Sequence, residues 1–304
     1  MRLVEMSGRR AVWFAVPAVL AFTLLPARVF AAPSWQSQVD AVLGMQGMQM
    51  PGGVLRFDYP RTNLYPIVFG HPTLPQLVED GYAAFVQGGS GVLAVIEVPL
   101  LEAEVNPFIA AMEQGGWKTS AVHNHVIEGW PVIIFVHANA VGDPVQLAQR
   151  FRNAISQTGL PPINDDNSQD SDDTAPGIDT ATIQSLIGGT EQALDGVWEA
   201  TVDFPGTVTI LGVNAPGDMG PENEFHFQPT GGGNAASVAE ICVTGAQVDT
   251  VIRTLKANGF QVTALHNHWT QDNPHLFFVH SWKVDNAVAM ARVYQTILKQ
   301  IGAQ

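Results

Sequence analysis

A duplicated α+β fold is predicted by three observations on this 304-residue chain. Two long segments repeat each other at a fixed offset of 143 residues, each copy contains short alternating apolar runs that read as strands, and other stretches carry helical periodicity. From Glu97 to His137 an ungapped shift of 143 matches 13 of 41 positions, among them Glu97 with Glu240, Gly116 with Gly259, and both His-Asn-His tripeptides. So long a period fits domain-sized copies rather than a solenoid. Two tandem homologous domains are therefore expected over residues 35–160 and 178–304, each a β-rich half followed by a split β-α-β-β-α unit.

The elements follow in order. Each copy opens with a short helix, over 35–43 and 178–187, and a Gly-containing turn leads into alternating strands at 54–59 and 197–204. Strands over 82–87 and 92–98 flank Gly88-Gly89-Ser90-Gly91, and Gly231-Gly232-Gly233-Asn234 holds the same place in the second copy. A phosphate-cradling loop would lead into a helix N-terminus; a strand follows here, so both are read as hairpin turns. Leu101, Val105, Phe108, Ile109 and Met112 recur at helical spacing, as do Val248, Val251, Ile252 and Leu255. Thr244 with Gln247 reads as a capping box, Pro107 is a mild conflict with a continuous helix, and Gly116 and Gly259 end the two helices. A strand carrying His-Asn-His, a turn through Pro131 or Pro274, an apolar strand ending in Phe-Val-His and a last helix (144–157 or 286–300) complete each copy.

Residues 1–31 read as an export signal. Arg2, Arg9 and Arg10 precede an apolar run over 11–25, and Val29-Phe30-Ala31 supplies a cleavage site. The run is short for a membrane span, which takes roughly 20 residues. Arg9-Arg10 resembles the start of a twin-arginine signal, but the residues after it fit that pattern poorly. Cleavage after Ala31 removes four Arg and one Glu, taking the net charge from -14 to -17. That excludes nucleic acid and anionic membrane as partners, since phosphate binding needs clustered Lys and Arg. It also argues against reading His-Asn-His as a nuclease signature. The single Cys242 lies in an apolar run and cannot form an intramolecular disulfide; a buried, inert thiol is expected. Residues 161–177, rich in Asp with Asn, Ser and Pro, read as an acidic linker without the Gly and closing Glu of a calcium loop.

The chemistry is expected at the histidines. Residues two apart on a strand share a face, so His123 projects with His125 and His266 with His268, a common half of a transition-metal site. Glu97 and Glu240 lie on the same sheet rim and are the expected carboxylate ligands, giving a His-x-His rim in each copy, although two strand spacings leave about 10 Å to close. Glu128, His71, His226 and His275 are further completing candidates. With a hairpin turn near Glu128, His123 faces Ile133 and His137 lies roughly 13 Å farther along the strand. His137 and His280 are therefore expected to be structural. Thioethers at Met45, Met48 and Met50 suit Cu(I), but the second copy has none there, which favours packing. No Gly-x-Ser-x-Gly elbow or activated cysteine supports a nucleophilic hydrolase.

The segments Met50-Pro51-Gly52-Gly53-Val54, Pro60-Arg61-Thr62-Asn63-Leu64, Glu104-Val105-Asn106-Pro107 and Thr263-Ala264-Leu265-His266-Asn267-His268 resemble the LppY/LpqO family, bacterial proteins built from a domain of unknown function, often exported and often in two copies. The resemblance implies a periplasmic or extracellular location and brings no established activity; the chain lacks the lipid-bearing cysteine of the lipoprotein members. Three readings stand: an exported binder of a divalent transition metal or small ligand, a metal-dependent enzyme with Glu97 or Glu128 as base, and a structural envelope module whose histidines only pack.

Overall fold

A computed structural model describes residues 34–78, 80–160 and 175–304. The export signal expected over 1–31 and the linker residues 161–174 lie outside the described residues. In the first copy, α1 (Trp35–Leu43) leads into β1 (Met48–Met50), β2 (Val54–Asp58), β3 (Ile67–Val68), β4 (His71–Pro72) and the single turn α2 (Pro75–Val78). There follow β5 (Tyr82–Gln87), β6 (Val92–Leu101), α3 (Glu102–Gln114), β7 (Lys118–His123), β8 (Gly129–Trp130), β9 (Ile133–Gly142) and α4 (Pro144–Ile155). The second copy runs α5 (Thr180–Ile187), β10 (Thr190–Leu194), β11 (Val197–Asp203), β12 (Thr209–Ile210), β13 (Val213–Asn214) and β14 (Glu222–Gly231). It ends with β15 (Asn234–Thr244), α6 (Val248–Ala257), β16 (Gln261–His266), β17 (Asp272–Asn273), β18 (Leu276–Asn286) and α7 (Ala287–Ile301).

Local chemistry sets many of these limits. The Asp143 and Asn286 side chains accept main-chain N–H bonds at the starts of α4 and α7, and Gly44 and Gly302 close α1 and α7 in the left-handed conformation. Only half of the expected capping box forms at α6: the Gln247 side chain accepts from Thr244 N–H at 2.9 Å. The helix α3 runs through Pro107. Both glycine-rich loops are hairpin turns, as their sequence context requires.

The fold is mixed α+β with two similar halves. Each half holds a six-stranded antiparallel sheet, ordered β1-β2-β5-β6-β9-β7 or β10-β11-β14-β15-β18-β16, and the halves supply the three-stranded sheets β4-β3-β8 and β13-β12-β17. The return strand β9 stands between β6 and β7, as β18 does between β15 and β16.

Alternation along the central strands assigns their faces. Ala94, Ile96, Val98, Val136 and Ala138 pack with Phe108, Met112 and Phe151 of the helices, forming the first copy's own core. Ala239, Ile241 and Val279 do the same with Leu255 and Tyr294 in the second. The opposite faces enter two shared cores. Val54, Ala84 and Val95 of the first copy meet Val208, Ile210, Trp269 and Phe278 of the second, while Val68, Leu77 and Val78 of the first meet Val197, Val238 and Trp282 of the second. Each copy thus reaches over the other's sheet, and the two are interlocked. Both faces of β6 and β15 are covered, which explains their near-continuous apolar sequence.

Candidate metal centre

The same alternation aims Glu97 and His137 away from the first copy's helices and Glu240 and His280 away from the second's. In the ladders Glu97 stands directly opposite His137, and Glu240 opposite His280. The expected remote placement of His137 and His280 is therefore corrected. The connection from β7 to β9 is not a tight turn near Glu128; it widens to include β8, which pairs with β3. The register slides accordingly: His123 faces Phe135, Ala121 faces His137, and a bulge lies between Thr119 and Ala121. The His123 and His137 rings are 4.9 Å apart between centroids.

His123 and His125 do share a side, with ring centroids 5.1 Å apart, although β7 ends at His123. Beyond that end the chain lays His125 over Phe135 on β9, at 3.5 Å between centroids. This removes one strand spacing from the expected 10 Å gap, and His125 Nε2 approaches Glu97 Oε1 to 3.1 Å.

The expectation of one rim in each copy is also corrected, because the two rims meet. The His123 and His266 rings stack at 3.4 Å, and on either side His125 lies 4.1 Å from His280 and His137 4.0 Å from His268. These contacts relate the copies by a local two-fold through the His123–His266 pair. Reciprocal hydrogen bonds pin the tripeptides there: Ser120 Oγ donates to the His268 carbonyl and Thr263 Oγ1 to the His125 carbonyl, each at 2.6 Å. Asn124 and Asn267 close their own turns by donating to the carbonyls of Val126 and Trp269.

Six imidazoles and two carboxylates therefore form one buried group. His123, His137, His268 and His280 bury both ring nitrogens without a hydrogen-bond partner, and His125 and His266 bury Nε2 in the same condition. His125 to Glu97 at 3.1 Å and His280 to Glu240 at 3.0 Å are close in distance but out of line for an N–H···O bond. Donor atoms from His125, Glu240 and His280 lie within 4.8 Å of one another, as do those of Glu97, His125 and His137 and those of His123, His137 and His268. Lone pairs that converge without sharing protons fit a common cation.

A family model described as Domain of Unknown Function (DUF1259) matches the chain twice, over residues 37–157 and 181–300. The chain belongs to that family. No curated protein matches it. Among solved structures, a trimeric bacterial microcompartment shell protein, PduB, aligns at 13% identity over 83% of this chain and 89% of that one, with a TM-score of 0.19. A double-ringed trimeric shell protein from the RMM microcompartment aligns at 12% identity over 83% and 95%, with a TM-score of 0.17.

The other completing candidates do not join the centre. Glu128 is exposed, His71 lies beside Trp282 and His275 pairs with Asp272 at 2.6 Å. His226 belongs to a separate group. Met45 packs against the first core and Met50 against a shared one. Cys242 is buried, and burial raises its thiol pKa. No helix among the described residues is long and apolar enough to cross a membrane.

Burial, reinforced in most cases by neighbouring imidazoles, holds His123, His125, His137, His268 and His280 well below the ordinary value of 6.5; burial lowers His266 to about 4. The rings are thus neutral, as ligation requires. Burial raises the Glu97 and Glu240 carboxyls, with carboxylate neighbours adding to the effect. In the unfolded DUF1259 chain the imidazoles take protons near pH 6.5; in the folded one they do so only at much lower pH. Protons therefore favour the unfolded state from about pH 6.5 downward, with six imidazoles setting the sign against the four buried carboxyls of Glu97, Glu240, Glu222 and Asp80, which burial raises. The metal-free protein should lose stability as pH falls from 6.5 towards 4, His266 alone contributing about 3 kcal/mol. Urea midpoints of chelator-treated protein at pH 7.5, 6 and 5 check this, and a flat profile would refute it.

Proposed function

We propose that the protein is an exported binder of a divalent transition metal, held in the centre that its two copies share. One observation carries the reading: buried, neutral imidazole nitrogens converge without hydrogen-bond partners. Each such group costs about 1–3 kcal/mol if left unsatisfied, and six in one place call for a common ligand. Imidazole with carboxylate suits Zn, Cu, Fe or Ni. The overlapping trios His125–Glu240–His280, Glu97–His125–His137 and His123–His137–His268 each offer three donors to an ion. The adjoining cavity, of about 30 Å³, admits little beyond an ion or a water, which favours binding over turnover of a larger substrate. Glu128, the alternative base for a metal enzyme, is exposed and outside the centre. Export rests on the leader-like residues 1–31 and agrees with the LppY/LpqO resemblance.

Elemental analysis of protein purified without chelator tests the metal reading. At least about one equivalent of transition metal per chain is expected. Fewer than ~0.2 equivalents, with none taken up on dialysis against Zn²⁺, Cu²⁺, Fe²⁺ or Ni²⁺, would leave only a structural module.

A further inference from the structure

A second group of ligand-type side chains lies outside the histidine centre. Glu199 on β11, with Glu224 and His226 on β14, places one donor atom each within 4.8 Å of the others. His226 is buried, its Nε2 stands 3.6 Å from Glu224 Oε2, and its Nδ1 lies 3.1 Å from the main-chain carbonyl oxygen of Gln76 in the first copy. The Nδ1–H donates to that carbonyl and turns Nε2 towards Glu224; against the effect of burial, the neighbouring carboxylates Glu199 and Glu224 raise His226 to about 9, so an ion bound here displaces the Nε2 proton. Gln192 Nε2 and Thr201 Oγ1 orient Glu199 by donating to its oxygens at 2.9 and 3.2 Å.

Position gives this group its meaning. The cavity of about 30 Å³ has Glu224 and His226 on its wall together with Glu97, His125, Glu240 and His280 of the centre. Glu199 and Glu224 also line an open depression of about 330 Å³, whose wall carries Asp58, Asp203 and Asp218. The three residues thus stand between an acidic mouth and the histidines.

The group also breaks the two-fold. Leu55 faces Phe85 as Trp198 faces Phe227, and Tyr82 faces Glu97 as Glu224 faces Glu240. The first-copy counterparts of Glu199, Glu224 and His226 are therefore Arg56, Tyr82 and Ala84. Arg56 packs over the Tyr82 ring and pairs with Glu222 at 2.9 Å. One side of the two-fold fills this position with its own guanidinium; the other presents three ligand-type side chains. Inheritance from a duplicated ancestor does not explain that difference.

We propose that Glu199, Glu224 and His226 form a second divalent-cation site, through which ions from the acidic depression reach the histidine centre. The site stands by itself, while the delivery role rests on the metal reading of that centre. The test uses chelator-stripped full chain and Co²⁺, following equivalents bound by elemental analysis and filling rate by stopped-flow absorbance. His226→Ala and the near-isosteric pair Glu199→Gln/Glu224→Gln should each lose about one equivalent and fill the remaining sites at least ~10-fold more slowly. His137→Leu/His280→Leu should keep the equivalent that His226→Ala loses. If Glu199→Gln/Glu224→Gln binds as many ions as the native protein, the site is overturned and His226 is only an imidazole paired with Glu224. One equivalent lost with an unchanged filling rate supports the site and overturns delivery. If His137→Leu/His280→Leu loses no metal, the histidine-centre reading and with it delivery fall, and the second site is still judged by the other two variants.

Discussion

Replacing both His137 and His280 with leucine should strip the protein of most of its centre metal and change its stability with opposite signs in the two metal states. Each substitution removes a ligand facing a glutamate in the neighbouring strand. Affinity should fall by at least ~100-fold, since even partners one shell out cost 10–100-fold. With metal present, the variant forgoes the linkage stabilisation, about 4 kcal/mol when free metal exceeds Kd a thousandfold. In chelator the sign reverses. There the native protein carries four buried ring nitrogens on these two residues without partners. Leucine removes that cost and fills a similar volume, so the variant should match or exceed native stability by about 1–3 kcal/mol. Urea unfolding of both proteins with Zn²⁺ and with chelator makes the comparison. Histidines that merely packed and hydrogen-bonded would give a destabilised variant in both conditions, and that result would sink the metal reading.

Residues 178–304 produced alone should fail to form a native fold. Without the first copy, Trp282, Val197 and Val238 lose the cover of Val68, Leu77 and Val78, and Trp269, Phe278 and Ile210 lose that of Val54, Ala84 and Val95. Burying one such large side chain contributes about 1.5–3 kcal/mol. Exposing several of them exceeds the 5–15 kcal/mol by which a domain is typically stable. The isolated copy should bind a hydrophobic dye, show no cooperative urea transition, and regain both properties of the native state when mixed with residues 35–160. A cooperative, dye-negative monomer would show that the shared cores are dispensable.

Much of each copy was legible in its own residues. The limits of β5 and α1 follow from alternation, from helical spacing and from the closing Gly44, all interactions within a few residues. The pairing of Glu97 with the histidine strands was partly legible, since a strand, helix and strand in sequence share a rim. The register of β9 was not. It depends on β8 leaving the connection to pair with β3, and a two-residue strand has no pattern of its own in sequence. That slide of two residues moved His137 from an expected distant position into the centre. His226 drew notice only as a completing candidate; its partners Glu199 and Glu224 carry no motif.

By itself, the sequence determined the duplication, the α+β class and which side chains share a face of each strand. Covalent geometry settles the last of these, because a strand alternates whatever surrounds it. Only the tertiary structure decided that two three-histidine sets are one centre. Their meeting depends on each copy reaching across the other's sheet, and residues 143 positions apart then stack at 3.4 Å between ring centroids. Such contacts are held by the packing of two surfaces, and no local pattern in either copy encodes the other's position.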